Sequence, residues 1–593
     1  MTIVECHSLK MSPKGALGLG FMLLFTLILA FTECNTSEQL ALNSTKSPNK
    51  IIFPRLHPQH YQYWLKHHPL ALKEFEKICD NLGDKDQVEF QDFKAWHANL
   101  SIEDAQYLEN PGYGMGLIKT ICSGIKNIPK LCWGYEKSCH NIYLMPKCDS
   151  DRTKDQMIKW FEQVDFGFIS QRRLELNKFC SPDREVDPTV QSYIECTKHF
   201  RTCRGANLYV NFKLPHNHLL LSDRPTFIED GDVGGMNCYP ESKRIKEEDG
   251  QRAHLQSWFN ELEHYKLVNY TCDEMIDKPV YFVKYDNPTS MYDFIGTFVY
   301  LYSTMHLYQR FTDDNQIILW NRDIPQTKFD SMWSAFSLNR LRNLNEFDGK
   351  RICFKNYIFA MPPQMDNGFY HSEDIPNCSK SGLFHAFNKH VLHKLYSPQM
   401  YTPELHRLHQ NKLIRITLLL GSSIQLENLG ELVTELQTKV YEEFKFAVTV
   451  IGSNENTNCI HMLNLMHNTD ILLGSHVDEL TYTLFLPDWA SLVELTGTKS
   501  NRYQNLARLR GVNYFKVDAE QRLLSRFGIT QQNGDQGSSY YIDIEQFITI
   551  LTQQSRIVKQ ARPAYFPNID LTKEQGEAPE ARKPDTPGSR DEL

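Results

Sequence analysis

Two short Gly/Ser turns are the first places to look for chemistry in this sequence. Gly421, Ser422 and Ser423 follow the apolar run Ile414 to Leu420, and Gly474, Ser475 and His476 follow Ile471 to Leu473. Either turn can open a helix whose unpaired backbone amides suit an anion, and an ordinary connection between a strand and a helix would read the same way. His476 stands at a predicted helix start, where it could meet a ligand or take a proton, or could simply cap the helix or face solvent. Asp293 is a second possible base, although a surface carboxylate is the commoner fate of such a residue. The histidines at His57 and His60 and at His67 and His68 read as solvated loop rather than as ligands. Zinc competes for the cysteines, but there is no Cys-x-x-Cys, and Cys132/Cys139 and Cys196/Cys203 are each seven apart, so no metal is expected.

The elements that must position these residues are clearest in the last third of the chain. The apolar run Ile414 to Leu420 is followed by a helical pattern from Leu432 to Phe444, a run from Phe446 to Ile451, a second helical stretch around Ile460 to Met466, and a third run from Ile471 to Leu473. Leu492 to Leu495, the helix-like Asn505 to Arg510, and Val512 to Val517 come next. A last helix carries Ile544, Phe547, Ile548 and Leu551 on one face. Strands alternating with helices predict a parallel sheet covered on both sides, with ligands at the carboxyl ends of its strands. That places both Gly/Ser turns on the ligand-bearing edge.

With 593 residues the chain exceeds what one hydrophobic core serves, so two or three domains are expected, and 41% hydrophobic residues suffices to fill them. The net charge of -8, with Lys and Arg scattered, gives no footprint for nucleic acid or for an anionic membrane. Lys10 and Lys14 precede the apolar run Ala16 to Phe31, which is shorter than the roughly 20 residues of a spanning helix, so residues 1–34 read as a cleaved signal peptide, with an uncleaved anchor as the alternative. The last four residues, Arg590, Asp591, Glu592 and Leu593, are a close variant of the Lys-Asp-Glu-Leu retrieval address. Each end predicts the compartment that the other requires, the lumen of the endoplasmic reticulum, with the retrieval receptor as a partner. Asn-x-Ser/Thr triplets at Asn35, Asn43, Asn99, Asn269 and Asn377 agree as glycosylation acceptors. Eleven cysteines lie between Cys79 and Cys353 and are expected to be mostly disulfides, while Cys459 is the candidate to stay outside them. Residues 35–55 and 566–593 are polar and read as loose ends.

One segment carries a resemblance. Asp470 to Leu495, and above all its core Leu-Phe-Leu-Pro-Asp-Trp-Ala from Leu484 to Ala490, resembles the signature of the EGF-domain-specific O-GlcNAc transferases. So do Leu506 to Gly511 (LARLRG), Leu255 to Phe259 (LQSWF), Cys132 to Glu136 (CWGYE), Arg351 to Lys355 (RICFK) and Asp165-Phe166-Gly167 after Trp160, all in order over residues 130 to 560. The resemblance implies an α/β fold with two Rossmann-like halves on a GT-B-type scaffold, at 276–410 and 411–565, behind a disulfide-rich region at 56–275. It also implies inverting transfer of GlcNAc from UDP-GlcNAc to Ser or Thr on EGF repeats of secreted or membrane proteins. By family position His476 and Thr481 would meet the donor.

The sequence departs from the family where that chemistry is done. The family's His-Gly-Ala-Gly-Leu-Thr-His reads His476, Val477, Asp478, Glu479, Leu480, Thr481, Tyr482. A phosphate about 4 Å from one of these carboxylates would be repelled by about 4 kcal/mol at an effective dielectric near 20. The family's Met-Tyr-His-His-Phe-Cys-Asp-Phe falls on Met291 to Phe298, leaving Asp293 where the first histidine stood. Its Asp-Tyr-Asp falls on Leu338, Asn339 and Arg340, so no divalent cation is expected, and its two phosphate arginines fall on Gly421 and Ile424. Four altered motifs on a kept scaffold imply a catalytically silent member that still grips an EGF-like or other folded domain. The alternative is an active transferase using rearranged residues such as Asp293, His476 or Asp478. Asp488 and Glu494, inside the matching block, are read as structural.

Overall fold

The computed structural model describes residues 58–82, 122, 125–130, 133, 154–180, 192–212, 228–229, 231–241, 243, 245, 257–269, 271–284, 290–311, 314–321, 327, 329–363, 380–395, 413–420, 424–452, 458–475, 478–496, 501–518, 529–534 and 537–562. They form an α/β protein built on two large sheets and a small three-stranded one. His476, Val477, Gly421, Asn35, Asn43, Asn99, Asn377 and Arg590 to Leu593 lie outside the described residues. Asn269 lies within them and is exposed. No described helix is long and apolar enough to cross a membrane.

The first sheet begins antiparallel, with Asn177–Cys180, Tyr193–Cys196, Cys203–Phe212 and Lys350–Phe359 side by side, and turns parallel through Val280–Val283, Gln316–Leu319 and Arg342–Asn343. Strands from both sides of residue 275 share it. Its core is aromatic. Phe179, Phe200, Phe212, Trp258, Phe282, Phe354 and Phe359 are all buried, and the Trp258 indole donates to the Ala360 carbonyl at 2.8 Å, which ties the LQSWF segment to the sheet.

The second sheet is the alternating one that the sequence predicts. In space it runs Val440–Tyr441, Phe444–Gly452, Leu413–Leu420, Ile471–Ser475, Ser491–Thr496, Asn513–Asp518, parallel throughout except for the first pair. Ile414, Ile416, Leu418, Ile471, Leu473 and Val493 fill an aliphatic core under the helix Ile544–Ala561, whose Phe547, Ile548 and Leu551 are buried as expected. One boundary is corrected. The helix Leu429–Thr438 stops well short of Phe444, because Val440, Tyr441 and Phe444 belong to an antiparallel hairpin. Alternating β-branched and aromatic residues there win over a helical reading of the same apolar spacing.

Disulfides join Cys79–Cys122, Cys180–Cys238, Cys196–Cys203 and Cys272–Cys353. Of the two pairs seven apart that zinc might have claimed, Cys196–Cys203 is therefore a crosslink between register partners on adjacent strands, and Cys132/Cys139 lies outside the described residues. Cys459 takes no part in a disulfide; it is buried and hydrogen-bonded to Tyr482.

Candidate functional site

The helix Met291–Tyr308 follows the strand Val280–Val283, and the 3-10 helix Asp478–Phe485 follows Ile471–Ser475. Both start at carboxyl ends of parallel strands, one in each sheet. Every residue of Met291–Tyr308 except Asp293 is buried. Water therefore cannot satisfy the first amides of that helix, and the chain must supply acceptors. Ser290 Oγ accepts from Asp293 N at 3.3 Å, and the carboxylate of Asp478 reaches across 187 residues of sequence to accept from Met291 N at 2.8 Å. Two segments that sequence reasoning singled out separately are thus one site.

Asp478 is held from three sides. Thr481 Oγ1 donates to its carbonyl at 2.7 Å, which fixes the turn. Arg502, opening the helix Arg502–Arg510, brings Nη1 to 3.9 Å from Asp478 Oδ1 and lays its guanidinium 4.4 Å from the Tyr292 ring centroid. Tyr503 lies beneath; burial, and then the nearby Asp478, push its hydroxyl above the ordinary range, so it remains protonated. Glu494, fully buried within the strand Ser491–Thr496, accepts from the Tyr514 hydroxyl at 2.7 Å. Tyr482, standing where a second histidine was expected by resemblance, is buried against Cys459, and its hydroxyl is likewise raised by burial. A carboxylate on a helix N-terminus beside an arginine is the arrangement a bound phosphate would adopt, with the anion supplied by the chain itself.

Arg502 is the site residue that sequence reasoning missed. Its only signal was its place, the first residue of a helical pattern following an apolar strand. Asp293 sits at the site's edge, half-buried, with its amide and carbonyl engaged in the helix start. Thr481 is present but fully buried in its turn.

Leu338, Asn339 and Arg340 do not join the site. Asn339 and Lys278 meet Asp314, and Lys278 and Asp314 precede the strands Val280–Val283 and Gln316–Leu319, so the triplet stands at the amino ends, at the opposite edge of the sheet from Met291. Arg340 makes a forked pair with Glu346. Ile424 pairs with Ser538 in a separate three-stranded sheet. Among the described residues no group of three or more His, Cys, Asp or Glu is placed to hold a metal ion.

The matching segments instead brace one another below the site. Arg510 donates to the carbonyls of Leu484 at 3.0 Å and Leu486 at 2.8 Å and pairs with Asp488 at 2.5 Å, so LARLRG grips Leu-Phe-Leu-Pro-Asp-Trp-Ala directly. Gly511 ends that helix in the left-handed region, at φ 81°, where a side chain would also strike Lys380. Asp165 accepts from the amides of Phe166 and Leu383, capping two helices at once.

No family model matches the chain. It is 32% identical over 475 residues to the EGF domain-specific O-linked N-acetylglucosamine transferase of Canis lupus familiaris, covering 75% of this chain and 87% of the relative. For the Xenopus laevis protein of the same name the figures are 32% over 456 residues, 72% and 83%, and for that of Drosophila melanogaster 32% over 422 residues, 67% and 78%. The chain belongs to this family. Within an EGF domain-specific O-linked N-acetylglucosamine transferase scaffold, Asp478 and Arg502 are the charged pair that faces the start of the long buried helix.

Proposed function

We propose that this member of the family is a lumenal protein of the endoplasmic reticulum that has given up sugar transfer and retains the scaffold to hold an EGF-like or other folded domain. The observation that carries this reading is the Asp478 carboxylate on the Met291 amide. A donor diphosphate brought to this helix start would meet that carboxylate, with Glu479 next to it in sequence. Both anions would compete for one helix N-terminus and one guanidinium, at a cost of about 4 kcal/mol, close to a thousandfold in affinity. Arg502 alone cannot offset this, because it is already committed to Asp478 and Tyr292. The apolar run before Glu33, the Arg-Asp-Glu-Leu end and the exposed Asn269 triplet support the compartment.

The test is a thermal-shift titration of the full lumenal protein with UDP and with UDP-GlcNAc, with and without Mn²⁺, followed by radiolabelled transfer to an EGF repeat. A ligand at a hundred times its Kd stabilises the folded state by about 2.7 kcal/mol, which a melting curve resolves. No shift at millimolar ligand and no transfer are expected. A clear rise in Tm accompanied by transfer would establish an active enzyme working through rearranged residues.

A further inference from the structure

Behind the site, three histidines from three separate helices meet in one closed cage. His60 comes from the helix Pro58–His67, His306 from Met291–Tyr308 and His390 from Gly382–Lys394, and each is 1% exposed or less. Their rings lie close together, His60 to His390 at 5.3 Å and His60 to His306 at 6.2 Å between centroids. Trp133, Phe166, Phe311 and Phe336 wall them in at 4.6–5.6 Å. His60, expected to be solvated loop, is thus the plug of the cage. The run Tyr61, Tyr63, Trp64, Leu65 around it was the overlooked sign of a packed helix.

The polar contacts inside hold the rings in place. His60 Nε2 is 2.6 Å from the Tyr302 hydroxyl, which burial keeps protonated, and His390 Nε2 donates to the Ala335 carbonyl at 3.0 Å. The groups bearing on His306 are its own low-dielectric surroundings first, then His390, then Arg173 from the helix Phe166–Leu174, and all three act against a positive charge, so its imidazole titrates well below the ordinary histidine range. Charging one ring would set a cation beside two further imidazoles and an arginine. Of the three helices only Pro58–His67 stands outside the succession of strands and helices that builds the sheets. Besides the cage, Tyr63 accepts from Gln309 Nε2 at 3.0 Å, and the side chains of Tyr61 and Leu65 are buried.

We propose that His60, His306 and His390 form an acid-sensitive lock, which holds the N-terminal helix Pro58–His67 on the body at neutral pH and releases it on acidification. The sign follows from linkage. Burial in the docked form keeps His306 neutral, and in the released form its imidazole binds a proton near pH 6.5, so docking is complete above that pH and weakens below it. Each additional proton taken up by the released form changes the balance about tenfold per pH unit.

Hydrogen–deuterium exchange on the full chain at pH 7.4 and 5.5, corrected for intrinsic rates, tests this. Peptides covering Pro58–His67 are expected to lose protection at least tenfold at the lower pH, while the helix Ile544–Ala561 does not change. His306→Phe, which keeps a ring in the cage and removes a titrating group, is expected to reduce that loss at least threefold. If this variant fails to fold, His60→Gln, which keeps a partner for Tyr302 and cannot take a charge, is expected to do the same. Equal protection at both pH values, loss of protection everywhere at once, or an unaltered pH response in the folded variant would overturn the lock.

Discussion

Two aspartates of the second sheet differ in how the chain neutralises them. Asp470, at the amino end of Ile471–Ser475, is fully buried and surrounded. Arg415 donates to it from its backbone amide, Nε and Nη2, Trp489 Nε1 donates at 3.0 Å, and Arg562 closes the far side. Asp478, just past the carboxyl end of the same strand, is 34% exposed, accepts one amide, and has its arginine 3.9 Å away. Burial alone would raise the Asp470 carboxyl, yet Arg415 and Arg562 outweigh it and hold the group below its usual range. The same residue type is a cornerstone at one edge of the sheet and a replaceable stopper at the other. Amino ends of parallel strands are where such a fold is braced, and carboxyl ends are where it keeps room to change.

The largest effect should come from breaking the cornerstone. Asp470→Ala leaves two buried guanidiniums and an indole N–H unanswered and is expected to destabilise the protein by about 3–5 kcal/mol, read as a fall in the denaturant midpoint. Because the folded carboxyl is depressed, its contribution is present above about pH 4 and is lost as the pH falls further. An acid titration of the wild type should show that loss, and Asp470→Asn should lack it. Equal acid sensitivity in the two proteins would mean that the network does not bear on folding.

Next in size is the clasp between the two matching segments. Arg510→Met removes two hydrogen bonds, to Leu484 and Leu486, and an ion pair with Asp488, and leaves Asp488, whose carboxyl His385 and Arg510 hold down against burial, with His385 alone. A loss of about 2–4 kcal/mol is expected, without any change in ligand affinity at the cleft. A neutral outcome would show that the Leu-Phe-Leu-Pro-Asp-Trp-Ala turn holds itself.

These brace residues also mark what was legible in the sequence. The strand and helix rhythm of residues 413–561 could be read because parallel strands buried on both faces are continuous apolar runs, and the two motifs that Arg510 joins could be recognised as segments. What could not be read was that one motif's arginine serves the other's carbonyls, since nothing in spacing says which distant backbone oxygen lacks a donor. The same blindness hid the cap at Met291. Asp478 looked like a charge that would repel phosphate, and its partner, an amide left bare by a helix buried on every side, appears only once the helix is placed among its neighbours. At Leu338 to Arg340 aligned chemistry proved a poor guide to place, because a triplet beside a strand may stand at either end of it. His60 was misread because histidine and tyrosine count as polar in a short window although their rings pack as aromatics.

The smallest effect on stability belongs to the stopper, and it is the most informative. Asp478→Ala removes one cap to a single amide and a loose ion pair that solvent screens, so about 1 kcal/mol or less should be lost. Its effect on binding should run the other way. With the carboxylate gone, the Met291 amide and Arg502 lose the anion between them, and the Coulombic objection to a diphosphate falls by most of its roughly thousandfold penalty. UDP should then raise the melting temperature of Asp478→Ala while leaving the wild type unmoved, and Arg502→Ala added to it should abolish the gain. Asp478→Asn separates charge from space, since the amide side chain fills the same volume and can still accept from Met291 through its oxygen. If Asn and Ala variants gain equally, charge closes the cleft. A gain by Ala alone would mean that bulk does, and no gain by either would place the block elsewhere and sink the reading of Asp478 as the chain's own anion.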